Sequence, residues 1–253
     1  MKSIACIADS GSKAQETYLK LAKTHAFVSV DKADALIVLG GDGFMLHILH
    51  KYMGSDKPIY GINCGTVGFL MNEYKDGDLL EIINSAKLTH LHPLQMTAKT
   101  SDGQEATAIA INEVSMLRQT SQTANLKIDI DGKTRMESLV CDGVLVATPA
   151  GSTAYNYSVY GPILPLRSNI LALTPISPFR PRRWRGALLD HKAKLKITVC
   201  QPKKRAVSAV ADFIEVRNVS SVQISEKRDI QINLLFDHGH SLEERIISEQ
   251  FTH

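Results

Sequence analysis

The chain has 253 residues, 44% of them apolar and 22% charged, with a net charge of +3. Length and balance are those of a globular protein with ample core, holding two modest domains or one large one. No run of 18 apolar residues occurs, which excludes a helical membrane span, and so small a net charge gives no reason to expect a nucleic-acid partner.

Met1–Ala8 is too short for a signal peptide and reads as a first strand over 3–8. Helical stretches at 12–24, 44–52 and 76–86 alternate with further strands at 35–39 and 58–63. That alternation predicts a parallel sheet with right-handed crossovers. From about residue 96 the pattern turns to short β-rich stretches at 95–100, 106–118, 125–130, 136–140, 143–148, 194–200, 206–210, 213–217 and 221–225. Asp131-Gly132 between Leu126–Ile130 and Thr134–Leu139 predicts a hairpin. A strand at Ile230–Phe236 and a polar helix at Ser241–Glu249 close the chain and return to the first domain. The expected architecture is α/β plus all-β: a Rossmann-like α/β domain over 1–95, completed by 233–253, and a β-sandwich over 96–232.

Cys6, Cys64, Cys141 and Cys200 show no CxxC spacing. Neither a metal knuckle nor a disulfide framework is indicated, and a cytoplasmic location is expected. Arg180, Arg182, Arg183 and Arg185 fall within six residues of a proline-containing stretch, and Lys203-Lys204-Arg205 follow. The first cluster reads as a solvated loop, with docking of phosphates or of an acidic subunit as the sharper alternative. Trp184 is expected to pack its loop down.

Two loops carry chemistry. Leu39-Gly40-Gly41-Asp42-Gly43-Phe44 follows the apolar run Ala35–Leu39 and precedes a helix marked by Met45, Leu46, Ile48 and Leu49. Three glycines in four positions allow φ > 0 and leave the backbone bare to an anion, and the helix N-terminus behind them favours phosphate. Asp42 is anomalous there, because a carboxylate repels phosphates unless it binds a metal or takes a proton. The competing reading is an ordinary Asp-Gly turn. Neither GxxxxGK[ST] nor a GxGxxG after a strand occurs. The second loop, CDGVLVATPAGSTAYNYSVYGPIL at 141–164, joins a buried strand to Ala150-Gly151-Ser152-Thr153-Ala154-Tyr155. These residues offer N–H groups, hydroxyls and a ring face to a nucleotide. The alternative is an N-cap at Ser152 or Thr153.

GGDG at 40–43, Asn112-Glu113, and DGVLVATPAGSTAYNYS at 142–158 together resemble the NAD kinases of bacterial type. GGDG alone is shared with diacylglycerol-type lipid kinases and phosphofructokinases, whereas TPAGSTAY is close to diagnostic. The resemblance covers most of the chain. It implies transfer of the γ-phosphoryl group of ATP, or of polyphosphate, to the 2′-hydroxyl of the adenosine ribose of NAD, giving NADP. A lipid or sugar kinase sharing the glycine loop, or a non-catalytic NAD(P)-binding regulator, are the alternatives.

The resemblance also implies that the site lies between an α/β and a β-sandwich domain, and that the protein is a homo-oligomer, dimer or tetramer, sharing sites between subunits. It implies Mg²⁺ carried with ATP and no protein metal cage. Asp42 matches the catalytic aspartate that accepts the 2′-hydroxyl proton, and Gly43 leaves the ribose room. His47 stands where the family is often basic and suits pyrophosphate. Asn112 suits the adenosine ribose, Glu113 the other ribose, and Asp142 the nicotinamide end. Thr153, Ala154 and Tyr155 meet the adenine, Ala150 and Ser158 line its pocket, and Asn156 and Tyr157 complete the substrate-binding set. Asn63, Gly65, Thr66, Gly68 and Phe69 shape the pocket floor. Asp212 lies in a region that reaches the ligand in the family and stays outside the set. Tyr160 departs from the pattern, standing where most members have a glycine.

Overall fold

The computed structural model describes residues 1–65 and 68–237, which divide into two compact units. The first comprises Met1–Leu91 and the chain from Ile230 onward. Its strands are β1 (Ile4–Ala8), β2 (Ala35–Gly40), β3 (Ile59–Asn63), β4 (Lys87–Leu91) and the return strand Ile232–Phe236. The spatial order is β1, β2, β3, return strand, β4. Residues 35–39 of β2 are wholly inaccessible, which explains their unbroken apolar run: a central strand of a parallel sheet is covered on both faces. Helices α1 (Ser12–Ala22), α2 (Asp42–Lys51) and α3 (Leu79–Ser85) connect the strands. The Asp78 carboxylate caps α3 by accepting from the N–H groups of Leu80 and Glu81.

The expected parallel sheet forms, with one antiparallel edge strand added. β1, β2, β3 and the return strand run parallel, but β4 pairs antiparallel with the return strand. β4 escaped the sequence reading because it is an edge strand, KLTHL, with Thr89 and Leu91 as its buried positions. The helix expected at Ser241–Glu249 lies outside the described residues, as does Thr66.

The second unit, His92–Asp229, holds two six-stranded antiparallel sheets. One is built, in spatial order, from β6 (Glu105–Ala110), β5 (Leu94–Thr100), β16 (Val219–Glu226), β13 (Leu195–Val199), β8 (Ala124–Ile130) and β9 (Lys133–Cys141). The other runs β12 (Ala187–Asp190), β11 (Ile170–Ile176), β10 (Gly143–Ala147), β7 (Glu113–Arg118), β14 (Val207–Ala211), β15 (Ile214–Val216). Alternate residues of both sheets, among them Met96, Leu126, Met116, Val144 and Leu173, share one core. This is the β-sandwich that the sequence predicts. The Asp131-Gly132 hairpin forms, with both residues at positive φ (52° and 74°), as a type I′ turn requires.

Two expectations change. The continuous stretch 106–118 is two strands in different sheets, broken at Ile111-Asn112. β11 was missed because Pro175 argues against a strand. β12 pairs only with Ile170–Leu173, so at Pro175 the ladder on that side has ended and the absent N–H loses nothing.

Candidate active site

In the first unit the glycine loop is the end of β2 and the start of α2. The expected use of φ > 0 is not found: none of Gly40, Gly41 or Gly43 is left-handed, and Gly41 has φ −117°. Space is the reason instead. A methyl group at Gly40 would stand 2.8 Å from the Phe44 ring, whereas methyls at Gly41 or Gly43 would meet nothing within 4 Å among the described residues. The first turn of α2 has no side-chain cap from Gly41, and a helix N-terminus favours an anion.

Asp42, half-buried as the first residue of α2, accepts from Phe69 N (2.7 Å) and Leu70 N (3.0 Å) through its two carboxylate oxygens. The glycine loop is thereby tied to Phe69-Leu70, and Cys64 N to Gly40 O (2.8 Å) ties it to the end of β3. His47 is exposed on α2 four residues after Gly43, on the same helical stripe.

In the second unit, Pro149 leads into a 3₁₀ turn over Ala150–Thr153 and a short helix α4 (Tyr155–Ser158). This loop is clamped to Ile111-Asn112. Thr148 donates to Asn112 O (2.9 Å) and to Ile111 O (2.7 Å), and Gly151 N donates to Thr148 Oγ1 (3.1 Å). The approach is so close that a methyl on Gly151 would stand 2.1 Å from Asn112 O. Neither Ser152 nor Thr153 acts as an N-cap. Ser152 Oγ instead donates to Pro149 O (2.7 Å) and accepts from Leu164 N (2.9 Å).

Asn156, expected to contact substrate, turns inward and is fully buried. Its amide donates to Ser152 O and Pro162 O and accepts from Thr174 Oγ1. With both ends of the amide engaged, it supports the loop. Ala150 is 5% exposed, Thr153 and Ala154 are half-buried, and Tyr157 and Ser158 are exposed. The Tyr155 ring packs against Leu145, Ala147, Leu164, Ala172 and Ile176. Burial, then the charges of Glu113 and Asp142, raise its phenol above the ordinary range, so Tyr155, Glu113 and Asp142 share one electrostatic neighbourhood.

Asp142-Gly143 is not the tight turn that its composition suggests. Cys141 ends β9 in one sheet and Gly143 begins β10 in the other. A methyl at Gly143 would strike Met116 O at 2.2 Å. Asp142 is paired with Arg118 Nε at 2.5 Å; nothing in the sequence singled out Arg118. Asn112 Oδ1 and Glu113 Oε2 are buried without a hydrogen-bond partner among the described residues. Burial first, and Asp212 second, push the Glu113 carboxyl up to about 8. Such orphaned buried acceptors call for a bound donor, and ribose hydroxyls are of that kind.

The sequence reading also left out Asp212. Its carboxylate accepts from the N–H groups of Ile111, Asn112 and Glu113. The available signal was an Asp in the two-residue turn between two β-rich stretches. Of the basic clusters, Arg180 and Arg182 lie over the Phe179 ring (5.7 and 5.3 Å), and Trp184 packs against the sandwich core. Arg205 Nη1 donates to Thr123 O and Oγ1 at 2.6 Å. Burial pushes the Cys6 and Cys141 thiols up to about 12, which removes them as nucleophiles. No group of three or more His, Cys, Asp or Glu able to hold a metal occurs among the described residues.

Residues 4–85 match the family model described as the ATP-NAD kinase N-terminal domain, and 111–232 match that of the ATP-NAD kinase C-terminal domain. Among curated relatives, the NAD kinase of Caulobacter vibrioides is 55% identical over 240 residues, covering 95% of this chain and 92% of its own. That of Xylella fastidiosa is 53% identical over 248 residues, covering 98% and 95%. Among solved structures, yeast NADH kinase complexed with NADH superposes with a TM-score of 0.74 at 26% identity, covering 86% of this chain. The chain spans 65% of the length of that yeast protein. An NAD kinase from Archaeoglobus fulgidus in complex with ATP has the same fold, with a TM-score of 0.74 at 23% identity, covering 98% of this chain and 97% of its own.

Proposed function

The chain belongs to the NAD kinase family, and on that footing we propose that it transfers the γ-phosphoryl group of ATP to the 2′-hydroxyl of the adenosine ribose of NAD. The observation that carries this reading is the pair of buried, unpartnered oxygens at Asn112 and Glu113, set beside the Tyr155 loop. Phosphoryl transfer through a loose transition state asks chiefly for positioning and charge stabilisation. In this reading the first turn of α2 receives phosphate, with MgATP as the substrate form, and Asp42 accepts the 2′-hydroxyl proton as the O–P bond forms. Asn112 and Glu113 engage the riboses, while Thr153, Ala154 and Tyr155 receive the adenine beside Ala150 and Ser158. Asp142 serves the nicotinamide end, and His47 the pyrophosphate. The functional domains in this reading are 1–95 with 233–253 and 96–232, and the protein is a cytoplasmic homo-oligomer.

The test incubates the protein with NAD, ATP and Mg²⁺ and couples the product to an NADP-specific dehydrogenase. Absence of signal from folded protein rejects the proposal. Asp42→Asn should lower kcat by about 10²–10⁴, while NAD affinity stays within about tenfold, because one hydrogen bond is worth about 1 kcal/mol. Near wild-type turnover in that variant removes Asp42 from the base role.

A further inference from the structure

Asp212 occupies the two-residue turn between β14 and β15, where Ala211 pairs with Ile214. Its φ of 52° is a conformation that Asp and Asn tolerate better than most residues. Its carboxylate accepts three successive backbone N–H groups from another part of the chain: Ile111 at 2.6 Å, Asn112 at 3.0 Å and Glu113 at 3.2 Å. In return Asp212 N donates to Glu113 O at 3.2 Å. This is the point where the chain leaves β6 in one sheet and enters β7 in the other, so no β-ladder of either strand fixes Ile111-Asn112.

Resting on the NAD kinase reading above, we propose that Asp212 is the positioning residue for the riboses of the dinucleotide, acting through the Asn112–Glu113 pair. It sets the backbone from which both side chains project and places a fixed negative charge beside Glu113. In buried surroundings a carboxyl beside a second carboxylate is disfavoured as an anion. The rise of the Glu113 carboxyl, caused by burial and then by Asp212, agrees with this. The other titratable groups bearing on this neighbourhood are Tyr155, itself held protonated, and Asp142, which is paired with Arg118. A neutral Glu113 offers an O–H donor as well as an acceptor to a ribose hydroxyl, where an anion offers acceptors alone.

Asp212→Asn tests the assignment, because Asn keeps the left-handed turn but cannot serve three N–H groups or supply the charge. The KM for NAD should rise about tenfold or more, with kcat within about threefold and the KM for ATP within about twofold, as loss of uniform binding requires. The alkaline rise in KM for NAD should begin at lower pH than in the wild type. An unchanged KM for NAD, or equal rises for both substrates, overturns the proposal. Titration of ¹³C-labelled glutamate carboxyls in the ligand-free protein supplies an arm independent of activity, with the Glu113 resonance assigned by Glu113→Gln. Its midpoint should fall in Asp212→Asn, and an unmoved midpoint overturns the proposal. If the wild type lacks NAD kinase activity while the Glu113 midpoint still falls in Asp212→Asn, the substrate reading alone is rejected. If Asp212→Asn does not fold, the pH profile of Glu113→Gln decides: its alkaline rise in KM should vanish, and a retained rise overturns the proposal.

Discussion

Replacing Gly43 by alanine separates a glycine kept for substrate from one kept for the fold. Gly43 is the exposed second residue of α2, its φ is not left-handed, and a methyl there meets nothing within 4 Å among the described residues. Gly→Ala at a compatible position stabilises by about 0.4–1 kcal/mol, mainly by restricting the unfolded chain. For a chain of this size that raises Tm by about 1–4 °C. The same methyl, however, projects into the space that the reacting ribose is proposed to enter. A displacement of about 1 Å between reacting groups costs roughly a hundredfold in rate. Thermal unfolding and the NADP-coupled assay on one preparation should therefore move in opposite directions, stability up and kcat/KM down by about a hundredfold. A variant that is more stable and fully active refutes the argument that the loop is bare for substrate. One that is less stable refutes the packing description.

Gly151→Ala should behave oppositely, since the 2.1 Å approach to Asn112 O forces the backbone apart. A loss of about 1–3 kcal/mol is expected from the urea midpoint, together with a raised KM for NAD, and wild-type values in both measurements contradict the clamp. Glu113 gives a pH test. Its folded-state value of about 8 lies above the ordinary 4.5, so the folded protein holds a proton that the unfolded chain releases. Its contribution to stability is therefore complete below pH 4.5 and lost as pH rises through about 8. The stability of the wild type relative to Glu113→Gln, measured by urea unfolding across that window, should decline with pH. A flat difference counts against the buried, neutral carboxyl.

Local patterns made much of this molecule readable. An unbroken apolar run before glycines identified β2 and α2, and Asp131-Gly132 identified its hairpin, because both signals act over a few residues. β4 and β12 were missed since edge strands bury few side chains and so carry little hydrophobic period, and β11 was hidden by Pro175. The break at Ile111-Asn112 left no local sign. The polar Asn112-Glu113 pair was legible only by its resemblance to a family motif. Its two supports, Gly151 and Asp212, lie about 40 and 100 residues away, beyond any reading of periodicity.

By itself the amino-acid order determined most of the element types and the family resemblance, because these rest on backbone preference, hydrophobic repeat and motif. Tertiary structure alone decided what each glycine is for and which side chains face inward. It turned Asn156 into a buried support, left Glu113 short of a donor and brought Asp212 beneath it. Those outcomes depend on close approach and on the sharing of hydrogen bonds between segments distant in sequence, quantities that exist only once the chain is packed.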